Sequence, residues 1–400
     1  MPGPPGALPR LRREPRPGGT RPLLWRRRGL RSCPRPGGSR RRWPGGGART
    51  SPGGASVSEA SYPELRGEHP LDGLNTLGLS ARAAHFMRLT READLAPALA
   101  LAAQRGWPVS LLGGGSNLIL APYQDGLVLQ PGFSDCELTP RADGSVEVRV
   151  AAGHDWHALV MAMAVRGLWG LENLALIPGQ CGAAPIQNIG AYGVELAEVL
   201  EAVELRHLDD GRAEILSVEE CAFGYRDSLF KGELAGRVMI THLRLRLSTR
   251  SRPRLDYGDL GQRVGKAPTP RDVAEAVCAI RREKLPDPGE LANAGSFFKN
   301  PLVSAAQAEA LIDDHPAMPH FAQPDGRVKL AAGWLIDQCG LKGWREGPFG
   351  VHERQALVLV HHGGGDARGL LAFAERVAER VRSRFGVELE REPRLMGRFD

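Results

Sequence analysis

Between residues 110 and 195 the chain twice collects small residues that sit poorly inside helices or strands. The first stretch is Leu112-Gly113-Gly114-Gly115-Ser116-Asn117-Leu118. The second is Ile177-Pro178-Gly179-Gln180-Cys181-Gly182-Ala183-Ala184-Pro185-Ile186-Gln187-Asn188-Ile189-Gly190-Ala191-Tyr192-Gly193. Glycine raises the entropy cost of a regular element and proline removes a backbone donor. Both stretches are therefore loops, and they cut the region into short pieces. Trp107–Leu112, Leu118–Leu120, Gly126–Leu129 and Ser145–Ala151 read as short strands. A helix is expected from Thr90 to about Gln104, with Glu92 and Asp94 in its first turns. A second opens at Asp155, runs His157–Val165 and ends at Gly167. Leu200–Leu208 and Val238–Leu247 are later strands, the second with imperfect alternation. Short strands, glycine turns and few helices predict an α+β fold with a mixed sheet, not a regular βαβ array.

Arg271–Lys284 carries Val273, Val277 and Ile280 on one helical stripe, and Pro286 and Pro288 stop it, which marks a domain boundary. Beyond lie expected helices at about Ala305–Ile312 and Gly333–Gln338 and a strand at Ala356–Val360. A long amphipathic helix, Asp366–Arg384, ends at Gly386, and Val387–Leu389 reads as a terminal strand.

Charge is unevenly spread. Of 52 Lys+Arg and 46 Asp+Glu, residues 1–60 hold 14 Arg and only two acids, Glu14 and Glu59, a net of +12. The remaining 340 residues carry 38 basic and 44 acidic groups, so the basic character belongs to the leader and gives no reason to expect nucleic-acid binding by the body. With 12 Gly and 11 Pro and no apolar periodicity, residues 1–60 read as a disordered extension, a targeting peptide or a nucleic-acid-binding tail. No apolar run approaches the roughly 20 residues of a membrane helix. Six cysteines form no CxxC pair and the histidines no HExxH, so no metal is expected and a reducing, cytoplasmic setting fits. His361-His362 before Gly363–Gly365 reads as a solvent loop.

Several segments are suited to chemistry. The Gly113–Gly115 turn exposes backbone amides, as a plain tight turn or as a nest for pyrophosphate. The Ile177–Gly193 stretch lets backbone approach a flat ligand, while Gln187, Asn188 and Tyr192 offer polar groups. In Phe223-Gly224-Tyr225-Arg226-Asp227-Ser228, Arg226 is either a fixed electrostatic clamp or the partner of Asp227. Ser296, in Asn293–Pro301 beside Phe297 and Phe298, is a turn serine or a catalytic one, although no nucleophile-elbow pattern surrounds it. Glu390 and Glu392 are an ordinary charged tail or an acid–base pair.

In this order, these segments closely resemble the UDP-N-acetylenolpyruvoylglucosamine reductase family. The matching stretches are Asn75–Gly78, Leu112–Asn117, Leu171–Leu196, Phe223–Lys231, Tyr257–Leu260, Lys284–Pro288, Asn293–Pro301, Lys329–Gly343, Gln355–Val360 and Leu389–Gly397. The resemblance covers about residues 70–397. It implies an FAD-binding domain of the PCMH (vanillyl-alcohol-oxidase) type with a smaller α+β substrate-binding domain, in the longer class with an extra tyrosine loop at Tyr257. The implied layout is a leader over 1–65, an FAD domain over 66–285, a substrate domain over 286–386, and a tail, 387–400, returning to the FAD side.

The resemblance also implies roles. Ser296 is the general acid, with Arg226 and Glu392 stabilising charge on the substrate. Gly113, Gly114, Gly115, Ser116, Asn117, Pro178, Gly179, Gly182, Ala183, Pro185, Ile186, Ile189, Gly190 and Ile240 face non-covalent FAD. Gly182-Ala183-Ala184 stands where a more serine-rich version is expected, which leaves contacts there to the backbone. Tyr192, Tyr257, Lys284, Asn300, Lys342 and Gln355 meet the UDP-sugar, and Lys329 helps form the cleft. NADPH is the implied reductant, and the expected state is a monomer without membrane insertion or nucleic acid. Another flavoenzyme of the same fold, such as a sugar oxidase, is the competing reading. Many of those hold FAD through a histidine, and Gly113–Asn117 has none. If the leader has no part in the chemistry, a chain lacking residues 1–60 keeps its flavin and its reductase activity; loss of flavin from that truncated protein would refute this.

Overall fold

The computed structural model describes residues 64–399, so readings that fall on 1–63 lie outside the described residues. A mixed four-stranded sheet comes first, in the order Leu65–Pro70, Arg82–Leu89, Tyr123–Pro131, Val109–Leu111. Its first pair is antiparallel and the other two are parallel. The expected Gly126–Leu129 strand is longer than its apolar run because Gln124 and Gln130 at its two ends are also buried, hydrogen-bonded to backbone carbonyls. An antiparallel five-stranded sheet follows, in the order Ala213–Ser217, Leu200–His207, Val238–Ser248, Ser145–Ala151, Cys136–Pro140. The imperfect alternation of Val238–Ser248 has a physical cause: from Val238 to Leu243 both faces are covered, and only the second half alternates.

The helices form where caps and apolar stripes coincide. Asp155 accepts a hydrogen bond from Ala158 N at 2.7 Å and starts Trp156–Val165. Thr269 accepts from the amide of Asp272 and opens Pro270–Lys284, whose Val273, Val277 and Ile280 are fully buried on the five-stranded sheet's core. Each such side chain contributes about 1.5–3 kcal/mol by leaving water. The expected Thr90 helix begins later. Asp94 accepts from Thr90 Oγ1 and Arg91 N, which holds Glu92–Asp94 as a 3-10 turn before the helix Leu95–Arg105.

The C-terminal part packs the helix Ala367–Phe385 over the antiparallel sheet Ala292–Ser296, Val358–His361, Phe349–Val351, Arg345–Glu346, with a three-stranded sheet beside it. Val387–Leu389 forms no strand, because Val387 is buried in the core beside that helix. The terminal strand is instead Arg394–Met396, paired in parallel with Leu118–Leu120. His361 is no solvent residue. It is 4% exposed, its Nδ1 lies 2.9 Å from Leu77 O, and its Nε2 accepts from Gly365 N. Among the described residues no helix is long and apolar enough to cross a membrane.

A charge cluster ties Leu200–His207 to its neighbours in the five-stranded sheet. Burial raises the Glu204 carboxyl, but bonds from Arg149 and Arg244 overcome this and hold it at about 2. A depressed carboxyl stabilises the fold above its unfolded value and loses that contribution as pH falls through the folded one. Acid unfolding of the native chain should therefore steepen between about pH 4.5 and 2. Glu204→Gln, followed by circular dichroism, should be less stable at neutral pH and flatter across that window.

Candidate functional site

The Gly113–Asn117 turn and the Pro178–Gly190 stretch face one another across a cavity of about 520 Å³. Close approach explains the glycines. A Cβ on Gly115, which has φ +60°, would lie 2.0 Å from Leu74 O; one on Gly114 would lie 3.1 Å from Gly179 Cα; one on Gly182 would lie 2.5 Å from Ala152 Cβ. Ser116 Oγ donates to Pro178 O at 2.9 Å and locks the two walls together.

Backbone ladders bring the third wall in. Glu392 N donates to Phe297 O at 2.9 Å and Lys299 N to Glu390 O at 2.9 Å, so the chain after Ser296 runs beside the tail. Arg394 N donates to Asn117 O at 3.0 Å, which fixes the tail to the glycine turn. Ser296, Arg226 and Glu392 all line the cavity. Arg226 is not the partner of Asp227: its Nε donates to Glu392 Oε1 at 3.0 Å and its Nη2 to Gly190 O at 3.0 Å. It sits at φ +55° in the tight turn Gly224–Asp227, a left-handed position that a non-glycine residue adopts only when its surroundings hold it there. Burial raises the Glu392 carboxyl above its ordinary value, against the opposing pull of Arg226, Lys231 and Lys299. Burial likewise lowers Lys231, whose Nζ donates to Arg226 O at 2.9 Å, with Lys299 pushing the same way.

Thirteen of the fourteen expected flavin-facing residues line this cavity. Pro185 does not: it is buried in the 3-10 turn Cys181–Gln187, behind the wall. The expected sugar-nucleotide residues lie off the wall. Tyr192 and Tyr257 meet edge to face at 5.6 Å, with Tyr257 57% exposed. Asn300 Oδ1 accepts from Ala332 N, Lys342 Nζ lies 3.1 Å from Asp337 Oδ2, Lys284 is exposed in the last turn of its helix, and Gln355 sits against Leu357 N. Lys329 Nζ lies over the Tyr225 ring at 4.6 Å.

Arg281 and Arg394 were not singled out from sequence, yet both line the cavity. Arg281 Nε donates to Leu176 O, and burial lowers its affinity for its proton; no carboxylate pairs with it among the described residues. Its signal was available: an arginine directly after the apolar stripe residue Ile280.

Two family models match the chain: an FAD binding domain over residues 83–217, and the C-terminal domain of UDP-N-acetylenolpyruvoylglucosamine reductase over 287–396. A UDP-N-acetylenolpyruvoylglucosamine reductase of Chromobacterium violaceum is 51% identical over 338 residues, covering 83% of this chain and 99% of that one. One of Pseudomonas aeruginosa is 52% identical over 336 residues, with the same coverage. The chain belongs to the UDP-N-acetylenolpyruvoylglucosamine reductase family. The solved reductase of Thermus caldophilus is also similar, with a TM-score of 0.56 and 26% identity over 84% of this chain and 98% of that one.

The reductase cavity fits FAD by its own chemistry. The walls approach where a Cβ would intrude, and the backbone of the Gly113–Asn117 loop lines the space. Gln180, which lines the cavity, donates through Nε2 to Pro131 O and Gly153 O, while its buried Oε1 has no partner among the described residues. Arg281 and Arg394 add positive charge, which suits an anionic cofactor. Gly115→Ala should cost about 1–3 kcal/mol through the backbone clash with Leu74 and a strained φ. Thermal unfolding checks this, and an unchanged midpoint would refute it.

Proposed function

We propose that Ser296, Glu392 and Arg226 carry the substrate half of this reductase's reaction. The enzyme reduces UDP-N-acetyl-3-O-(1-carboxyvinyl)-glucosamine to UDP-N-acetylmuramate with NADPH, through FAD, in peptidoglycan precursor synthesis. The observation that carries the residue roles is convergence. Three side chains chosen from distant parts of the sequence line one cavity, with Glu392 hydrogen-bonded to Arg226.

The chemistry FAD supplies when bound is two-electron transfer, inward from NADPH and outward as hydride to C3 of the enolpyruvyl group. The Gly113–Asn117 and Pro178–Gly190 walls and Ile240 would hold it. Addition of hydride at C3 leaves negative charge on C2 and its carboxylate. The Arg226 guanidinium stabilises that charge. Glu392 assists as the protonated acid, since a bare carboxylate would repel it; the raised pKa of its buried carboxyl supports that state. Ser296 donates the proton that C2 takes up. A serine hydroxyl is a weak acid, and it serves here because the C2 carbanion is a far stronger base. One hydride and one proton thus saturate the double bond.

Tyr192, Tyr257, Lys284, Asn300, Lys342 and Gln355 contact the sugar nucleotide in this reading, with the lysines suited to its diphosphate. Their place off the cavity wall favours contacts to the nucleotide over contacts to the enolpyruvyl group. Residues 66–285 act as the FAD domain, 286–386 as the substrate domain, and 387–400 as a tail that completes the flavin side. The working unit is a cytoplasmic monomer.

Ser296→Ala should leave bleaching of the flavin band by NADPH intact and slow its recolouring by substrate by roughly 10²–10³-fold. Stopped-flow photometry separates the two steps, and recolouring at the original rate would reject Ser296 as the acid. Arg226→Lys keeps the charge but loses the planar fork, and turnover should fall at least about ten-fold.

A further inference from the structure

Two anchors of fixed polarity meet in the hydrogen-bond chain around Glu392. The first is the backbone carbonyl of Glu392, which only accepts. Asn117 Nδ2 faces it at 3.5 Å and also donates to Gln187 Oε1 at 2.9 Å. That end of Asn117 is therefore its NH2, the Gln187 atom it meets is the amide oxygen, and the other end of Gln187 is its NH2. Gln187 Nε2 reaches Glu392 Oε1 at 3.1 Å. The second anchor is Arg226, whose Nε only donates and meets the same Oε1 at 3.0 Å. Oε1 thus receives two donors, from residues 166 and 205 positions earlier in the chain. A proton on Oε1 would collide with one of them.

We propose that Gln187, oriented by Asn117, is a positioning residue that decides which oxygen of Glu392 carries the proton: Oε1 stays an acceptor and the proton sits on Oε2. This rests on the proposed role of Glu392 and deepens it. An acid that must donate toward substrate charge is useful only if its O–H points the right way, and a buried carboxyl without the Gln187 donor could place its proton on either oxygen. The charged groups facing Glu392 are Arg226 and Lys231, on and after the Gly224–Asp227 turn, and Lys299, after the Ala292–Ser296 strand; Tyr225 is the neighbouring titratable hydroxyl. Lys231 and Lys299 supply charge without choosing between the two oxygens; Arg226 takes one acceptor position on Oε1, and the fixed amide of Gln187 takes the other, which closes that oxygen to the proton. The Glu392 side chain is 12% exposed, which leaves little room for water to offer a substitute donor.

Two variants of the full chain test this: Gln187→Met, which removes the donor, and Gln187→Glu, which keeps the size and reverses the polarity. Both should lower the ratio of substrate recolouring to NADPH bleaching roughly ten- to hundred-fold. A second readout needs no flavin. The infrared carbonyl band of protonated Glu392, isolated by subtraction of Glu392→Gln, should titrate at higher pH in the Gln187→Met protein, because a donor that favours the charged form is gone. Unchanged ratios in both variants, or an unmoved titration, would overturn the proposal. Loss of flavin from both would overturn it too, since Gln187 would then be a cofactor ligand. Glu392→Ala separates this from the underlying reading. If it recolours at the native rate, the role of Glu392 falls; if it fails while the Gln187 variants are silent, only the positioning inference falls.

Discussion

Glu392 reaches the cavity because the tail that carries it is stitched on both sides. One seam is the pairing of its backbone with Phe297 and Lys299; the other is the ladder from Arg394–Met396 to Leu118–Leu120. Side chains alone would hold such a carboxyl loosely. Backbone pairs on both sides fix its position far more tightly. The same seams deliver Ser296 to that wall and press Asn117 against the tail. The arrangement of glycine turn, serine and acid is thus one hydrogen-bonded unit, although its parts lie as far as 275 positions apart in the chain.

Electrostatics then decide what the unit can do. Burial alone would make Glu392 a simple neutral acid, and Arg226 alone would make it a simple carboxylate. The structure sets the two against each other, with Lys231 and Lys299 behind, and burial has the larger effect. Arg226 is held in a left-handed turn to reach it, and Asn188 and Tyr192 in the neighbouring stretch share that backbone state. Local strain of about 1–3 kcal/mol per residue survives only where surrounding contacts over-determine the conformation.

Much of this was legible in the residues. The Ser145–Ala151 strand and the Pro270–Lys284 helix follow their apolar patterns closely, because each buries one clear face. The cavity wall was legible because glycine and alanine at Gly113–Asn117 and Gly179–Gly190 answer to space, which a sequence shows. The partner of Arg226 was not. Asp227 is adjacent, but a two-residue turn aims the guanidinium away from it and toward Glu392. His361 misled for a similar reason. Three following glycines suggest a solvent loop, whereas its ring bridges Leu77 O and Gly365 N in the core. The terminal strand was displaced because Val387–Leu389 is apolar for packing under a helix, while Arg394–Met396 pairs through backbone, which leaves little trace in side-chain pattern. Arg281 escaped notice since a buried cation without a carboxylate has no local signature beyond its place beside Ile280.

The Arg394–Met396 strand has a consequence for how the molecule is made. On the ribosome Leu118–Leu120 emerges long before its partner is translated, and so does the carbonyl of Leu77 before His361. Both must wait while hundreds of residues are added. Such late, long-range closure slows folding and exposes unpaired edges meanwhile. A nascent chain can therefore settle its five-stranded sheet early, whereas the cavity wall is complete only once Arg394–Met396 has emerged.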